Sequence, residues 1–336
     1  MTMKTVSIVI PCRDEAHYIG ACLDSLIATT YPKEALSVYV CDGMSQDMTR
    51  NIVKEYEKKH PFIHLLNNPQ RTTPYALNIG IRADNSDVAI ILGAHSTVAP
   101  DFIERNCEAL FSDDSIGCAG GTLTNIYENE ISQIIGYAMS QPFGVGNAHF
   151  RTGTKTGFVD TVAFGSYKRE VFDKVGYFDE QLTRNQDDEF NFRLKKAGYQ
   201  ILLDPSIRSN YVVRASFSKL FRQYFQYGYW KVFVNQKHKI ITSIRQLVPC
   251  LFVLFLVTAC ITPILPVFGF FYAAILFLYL IIALMYAIQS SLSPSRWASI
   301  ILAFIILHVS YGSGYWAGIW DFLICRKKPN YDKSSR

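Results

Sequence analysis

The residues best suited to chemistry stand together at 185 to 193, Asn-Gln-Asp-Asp-Glu-Phe-Asn-Phe-Arg. Three consecutive acids, Asp187, Asp188 and Glu189, precede a stretch in which Phe190 and Leu194 fall four apart and Gly198 follows as a C-cap. That pattern puts the acids in the first turn of a helix. A carboxylate fixed there can take a proton from an approaching hydroxyl, the task of a general base. Acids at a helix start also complement the macrodipole and cap free N–H groups, and Asp188 and Glu189 fit that structural role. Asp187 is the candidate base, given what precedes it in the chain.

The elements that must hold such a carboxylate alternate strictly. Residues 6 to 10 are a continuous apolar, β-branched run stopped by Pro11, the pattern of a strand buried on both faces. Helices over 18–27, 48–59 and 75–83 alternate with strands over 38–41, 64–66 and 88–92. This order predicts an α/β fold with a doubly wound, mostly parallel sheet, whose ligands sit at the carboxyl ends of the strands. At those ends stand Pro11-Cys12-Arg13-Asp14-Glu15, Asp42-Gly43 and Gly93-Ala94-His95-Ser96. No GxGxxG and no GxxxxGK[ST] follows a strand, which argues against a dinucleotide enzyme or a P-loop. Carboxylates can instead hydrogen-bond a base or ribose, or reach phosphate through a divalent cation. Cys118-Ala119-Gly120-Gly121 reads as a tight strand end close to ligand, and 157 to 167 as alternating strand.

The second half has a different character. No Asp, Glu, Lys or Arg occurs from 246 to 295, nor from 297 to 320. A bilayer core of about 30 Å takes roughly 20 apolar residues per helix, so three spans are expected, at 247–268, 270–288 and 297–320. Gly312, Gly314 and Gly318 point to close helix packing in the last of them. His308 there suits a hydrogen bond to a neighbouring helix or a contact with lipid phosphate. Residues 217 to 234 mix aromatic and basic side chains and read as an interfacial amphipathic helix. The division expected is therefore 1–213 soluble, 214–246 interfacial, 247–325 membrane and 326–336 a polar tail.

The net charge of +5 is modest. Lys219, Arg222, Lys231, Lys237, Lys239 and Arg245 gather beside the apolar half, which suits an anionic lipid face better than nucleic acid. Eight cysteines show no metal-type spacing and read as reduced core thiols of a cytosolic domain. The apolar run after Met-Thr-Met-Lys-Thr is too short for a signal-peptide core. Three crossings would carry Arg326-Lys327-Lys328 outside, against the positive-inside tendency, so either the tail is translocated or one segment is re-entrant.

Four stretches in order carry a family likeness: Val-Ser-Ile-Val-Ile-Pro-Cys-Arg-Asp-Glu at 6–15, Val-Cys-Asp-Gly-Met-Ser-Gln-Asp-Met-Thr at 40–49, Tyr-Ala-Leu-Asn-Ile-Gly at 75–80, and Asn-Gln-Asp-Asp-Glu-Phe-Asn-Phe-Arg-Leu at 185–194. Together they resemble the family 2 glycosyltransferases of GT-A fold, and with the apolar tail the membrane-attached type that builds exopolysaccharides such as succinoglycan. The resemblance implies a nucleotide-sugar donor, with Pro11, Arg13, Glu15 and Asp42 holding the nucleoside and Asp42 facing the base. Arg71 and Asn78 would lie near the diphosphate. Gly165 and Asp188 would lie on the acceptor side, and so would Arg222, Gln223, Tyr227 and Trp230, which equally suit an anchoring helix. By residue type alone, Asp42-Gly43 also reads as a turn, Asn78 as a helix residue and Glu15 as a first-turn acid.

Two departures bear on the chemistry. The family's Asp-x-Asp, which reaches a Mg²⁺ or Mn²⁺ on the diphosphate, is Gly93-Ala94-His95 here. His95 is thus a metal or diphosphate contact, better suited to Mn²⁺ than Mg²⁺, or a buried histidine bonded to a carbonyl. Where many members carry Glu-Asp, this chain has Gln186-Asp187, which leaves Asp187 less repelled and its pKa lower. The expectation is an inverting enzyme at the inner membrane, multi-pass with a cytoplasmic catalytic domain, acting on a polyprenyl-diphosphate-linked saccharide in exopolysaccharide or capsule synthesis. The rivals are a silent scaffold that binds nucleotide sugar and a processive polysaccharide synthase. A transporter is excluded by the lack of paired charges in the spans.

Overall fold

The computed structural model describes residues 3–146, 149–152, 155–213, 215–241, 244–261 and 266–329. They form two units. One holds the chain up to Ile126 and again from His149 to Val212; the other holds the segment starting at Tyr127 and the chain from Val213 to Lys328.

The first unit alternates β1 (Val6–Cys12), α1 (Ile19–Ile27), β2 (Leu36–Asp42), α2 (Thr49–Lys59), β3 (Ile63–Asn67), α3 (Thr73–Ile81) and β4 (Val88–Ile91), then β5 (Ser96–Val98), α4 (Phe102–Leu110) and β6 (Ile116–Ile126). After α5 (Glu130–Met139) and α6 (Pro142–Val145) of the second unit, it resumes with α7 (His149–Thr152), β7 (Gly157–Phe158), β8 (Ala163–Lys168), α8 (Arg169–Val175), α9 (Gln186–Lys196) and β9 (Gln200–Val212). The strand order is β3-β2-β1-β4-β8-β6-β9-β5, with β7 on β9. β3, β2, β1 and β4 are mutually parallel, and β8 is antiparallel to β4.

Period-two alternation divides the core between the two faces of this sheet. Ile8, Ile10, Val38, Val40 and Ile90 face one layer with Leu23 and Ile103. Val9, Cys41 and Ala89 face the other with Leu77, Phe172 and Phe190. The chain turns back between β1 and β4, and such a reversal opens a crevice at the strand ends. Cys118 to Gly121, expected at a strand end, lie instead inside β6, at a bulge between Gly120 and Thr122. Gly121 is required there because a Cβ would run into the Ile207 backbone.

In the second unit, α10 (Phe217–His238) is followed by α11 (Val248–Val257), α12 (Pro266–Gln289) and α13 (Trp297–Gly318). Among the described residues, two helices are long and apolar enough to cross a membrane, Val267–Gln289 and Pro294–Ile324, where three were expected; the apolar helix over Val248–Cys260 is shorter. The expected break at Gly269 falls inside α12. The earlier helix ends sooner, α11 stopping at Val257, and Pro266 opens α12, the end of a helix where a proline is tolerated. The stretch read as interfacial is a packed helix: Gly228 of α10 lies against the backbone of Tyr311, and Gly314 of α13 against that of Phe225.

The segment after Tyr127 departs from the expected boundary at 213 because it is bonded into the second unit. Tyr137 donates to the Tyr286 carbonyl, Arg296 Nη1 to Gln133 Oε1 at 3.0 Å, and the His308 ring meets Tyr279 Oη at 2.9 Å and the Phe143 carbonyl at 2.8 Å. His308 thus has the neighbouring-helix partner that its position suggested. The side chain of Arg245, residues 262–265 and the tail from 330 lie outside the described residues.

Candidate active site

The loops after β1 and β2 are laced together by backbone donors and side-chain acceptors. Asp14 N–H donates to Ser45 Oγ at 2.8 Å, Gln46 N–H to Asp14 Oδ1 at 2.7 Å, Glu15 N–H to Thr49 Oγ1 at 2.8 Å and Ala16 N–H to Asp47 Oδ2 at 3.1 Å. Gly43 N–H closes the pair on the Cys12 carbonyl at 2.7 Å. Pro11 and Cys12 sit in register with Cys41 and Asp42, so Pro11, Arg13, Glu15 and Asp42 are brought to one edge of the sheet. That edge is electronegative: burial first, then the carboxylates of Glu15 and Asp42, push the Cys12 thiol well up.

Asp42 is fully buried and already paired. Its oxygens accept from Ser45 N–H at 3.1 Å, from the Ser45 hydroxyl, and from Arg50 Nη1 at 2.6 Å. Arg50 Nη2 continues to Asn67 Oδ1 at 2.8 Å. Ser45, Arg50 and Asn67 were not legible as site residues. The Asp-x-x-Ser spacing was a usable signal for the first, but nothing in the order of residues shows where an arginine eight positions on will point.

Across the β1/β4 crevice, His95 Nδ1 lies 3.9 Å from Glu15 Oε1, and the His95 ring packs edge-on to Tyr211 with centroids 5.2 Å apart. Among the described residues no three His, Cys, Asp or Glu side chains converge on a point. The fit to a divalent cation is therefore to one imidazole with a carboxylate beside it, and the ion would take its other ligands from phosphate and water, as Mg²⁺ commonly does. Arg71, exposed and at φ 62°, stands just before α3. The Asn78 amide nitrogen donates to the Phe178 carbonyl at 2.9 Å and Glu180 Oε1 at 2.8 Å, and its oxygen accepts from Phe178 N–H at 3.0 Å. With those bonds made, Asn78 clamps the loop before α9.

Asp187 and Asn191 are one turn apart on α9 and share a face. Asn191 is buried, its Oδ1 accepting from Tyr167 Oη at 3.2 Å and its amide donating to Thr161 Oγ1 at 3.2 Å. The Tyr167 hydroxyl is held well above its ordinary value by burial, by Cys118 and by the charge of Asp187. A Cβ on Gly165 would come within 2.9 Å of that hydroxyl. Phe164 of β8 lies against Gly93, so this end of β8 shares its edge with the loop carrying His95. Gly165 and Asp187 are thus brought together through Tyr167. Asp187 is exposed, Asp188 half-buried and Glu189 fully buried, where it takes Arg193 Nε at 2.9 Å and Nη2 at 2.9 Å. Glu189 fills the structural role its position allowed.

The remaining candidates belong to the second unit. On α10, Arg222 is exposed, Gln223 Nε2 donates to Tyr227 Oη at 2.8 Å, and buried Trp230 packs on Phe322 with centroids 5.8 Å apart. That packing gives Trp230 a structural reason independent of any sugar.

A crevice at the strand reversal with Glu15 and His95 beside it, and a separate acid at the start of α9, agree with the comparison by family: the chain belongs to glycosyl transferase family 2, whose model matches residues 7–176. It is a glycosyltransferase, and the silent scaffold is set aside. A dolichyl N-acetyl-α-D-glucosaminyl phosphate 3-β-D-2,3-diacetamido-2,3-dideoxy-β-D-glucuronosyltransferase of Methanococcus voltae is 34% identical, over 67% of this chain and 72% of that one. The succinoglycan biosynthesis protein ExoA of Rhizobium meliloti is 27% identical, over 96% of this chain and 97% of its own length. Among solved structures, a mannosyltransferase of Pyrobaculum calidifontis in complex with GDP-Man and Mn²⁺ shares the fold, with a TM-score of 0.64 at 18% identity over 93% of this chain and 88% of that one.

Proposed function

We propose that the protein is an inverting, membrane-attached glycosyltransferase that moves a sugar from a nucleoside-diphosphate donor to a polyprenyl-diphosphate-linked saccharide in exopolysaccharide or capsule synthesis. The observation that carries the chemistry is the placing of Asp187 at the start of α9, on the face that Asn191 ties to Tyr167 at 3.2 Å, next to Gly165. The Asp187 carboxylate takes the proton of an acceptor hydroxyl as that oxygen bonds to the anomeric carbon. The bond from that carbon to the diphosphate breaks on the opposite side, and one displacement inverts the configuration.

Asp188 and Gly165 border the acceptor, while Pro11, Arg13, Glu15, Asp42 and Arg71 border the donor. A divalent cation held at His95 would neutralise charge on the departing diphosphate. The lipid acceptor and the membrane are supported by the near full-length likeness to a succinoglycan biosynthesis protein and by two helices of spanning length. Arg222, Gln223, Tyr227 and Trp230 serve the lipid-borne partner or anchor α10. The catalytic unit faces the cytoplasm, where activated sugars are made. A processive synthase would need a channel, for which two such helices are few.

The test is Asp187→Asn in the full-length protein, with a panel of nucleotide sugars and membrane lipid extract as acceptor. Transfer should fall by about 10²–10⁴-fold while nucleotide binding is kept. Wild-type rates in the variant would refute the assignment of the base.

A further inference from the structure

The fold brings an arginine beside His95 from a distant part of the chain. Tyr211 of β9 is locked next to His95: it pairs in register with Ser96, Val212 N–H donates to the His95 carbonyl at 3.3 Å, and the two rings meet edge-on with centroids 5.2 Å apart. The guanidinium of Arg151, on α7, lies over the same Tyr211 ring, 5.5 Å from its centroid, and 5.4 Å from that of Phe150. One tyrosine therefore carries both the imidazole and the guanidinium. Arg151 Nη1 is shielded from solvent and has no hydrogen-bond partner among the described residues. Arg50, Arg169 and Arg193, by contrast, each reach a carboxylate or a carbonyl.

A shielded guanidinium N–H calls for an acceptor, and the oxygens of a phosphate suit its planar fork. Position 93, where relatives carry the first acid of Asp-x-Asp, is crowded: a Cβ on Gly93 would stand 3.2 Å from Ser96 Oγ and 3.3 Å from the Phe164 ring. Positive charge at this edge is thus available from a side chain where the acid that would help hold a cation has no room. We propose that Arg151, held on Tyr211 next to His95, binds a substrate diphosphate, and that the group it takes is the donor's β-phosphate, the one that gains charge as the sugar leaves. This departs from the family's reliance on a cation held by two acids. It rests on the glycosyl-transfer reading above and adds a substrate-contacting residue to it. The lipid-borne acceptor of that reading also carries a diphosphate, and the two sources are separable by titration.

Calorimetry on the full-length protein in EDTA, where no cation bridges the phosphates, tests the idea. UDP, TDP and GDP are screened, and the tightest is compared with its monophosphate. In the wild type the diphosphate should bind about tenfold or more tighter, the effect of one hydrogen bond to a charged group, and Arg151→Gln should close that gap while binding the monophosphate as the wild type does. Arg151→Lys keeps the charge but loses the planar stack, so it should lose about threefold, and it carries the comparison if Arg151→Gln does not fold. Farnesyl diphosphate, titrated in detergent, reads the other source: a loss confined to it overturns the assignment to the donor and gives Arg151 to the lipid. An equal loss for monophosphate and diphosphate marks a structural role and overturns the inference, as does unchanged binding of every diphosphate in both variants; either result leaves the donor reading standing. Failure of the wild type to bind any of these nucleotides overturns the donor reading and the inference together.

Discussion

Glu189 allows the structural part of the acidic run to be measured apart from the chemistry. Its carboxylate is fully buried and grips Arg193, whose side chain is 19% exposed and also donates to the Val175 carbonyl at 2.6 Å and the Tyr177 carbonyl at 2.8 Å. Glu189→Gln strands that guanidinium. Removing one partner of a buried pair costs about 3–5 kcal/mol, and because Arg193 keeps two carbonyl acceptors and some contact with water, the low end of about 3 kcal/mol applies. At about 2–4 °C per kcal/mol for a domain of roughly 150–250 residues, the first unit should melt about 6–12 °C lower. A thiol-reactive dye reads this transition directly, since Cys12, Cys22, Cys41, Cys107 and Cys118 are buried in that unit, while exposed Cys260 and Cys325 set the starting signal. Adding Arg193→Met should restore part of the loss, with the Val175 and Tyr177 carbonyls still lacking their donor. Transfer by Glu189→Gln, measured well below its melting point, should fall far less than in Asp187→Asn. An unchanged melting curve together with abolished transfer would mean that Glu189 does chemistry, and the assignment of Asp187 as base would fail.

The bracing of the loops after β1 and β2 should be lost in acid. Burial works against ionising Asp47, but the hydroxyl and N–H of Thr49 and the N–H of Ala16 outweigh it and hold the carboxyl below its ordinary value. A depressed carboxyl contributes fully above the ordinary Asp range, near pH 4, and stops contributing as pH falls through the lowered value. Nucleotide affinity should therefore weaken below about pH 4 more steeply in the wild type than in Asp47→Asn, and parallel pH curves would exclude the brace. At His95, exchanging imidazole for a carboxylate favours a harder ion. His95→Asp should raise transfer with Mg²⁺ relative to Mn²⁺ several-fold in a metal titration, and an unchanged ratio would remove His95 from the cation site.

What the sequence reveals follows from which physical signals are local. The run from Val6 to Ile10 announces a doubly buried strand because nothing else so apolar and branched satisfies its backbone, and β1 to β4 sit within a few residues of their expected places. The acids at 187 to 189 likewise announce a helix start, but the difference between an exposed Asp187 and a buried Glu189 depends on Arg193 folding back one turn, which only packing decides. The site loops and the start of β8 hide more. Asp14, Met44, Arg71, Phe164 and Asn185 all have positive φ, at 50°, 59°, 62°, 49° and 61°, and none is glycine. Such backbone costs about 1–3 kcal/mol per residue and persists only where surrounding bonds over-determine it. Asp14 shows how this is done, its N–H on Ser45 and its carboxylate on Gln46 N–H fixing the turn from the neighbouring loop. At Asp14 the bonds that hold the strained residue come from another strand's loop, so no short window of the sequence contains both the strain and its cause. The β1 loop is therefore shaped by residues 45 to 49, and a donor pocket built this way responds to changes in Ser45 or Thr49 even where neither touches the nucleotide.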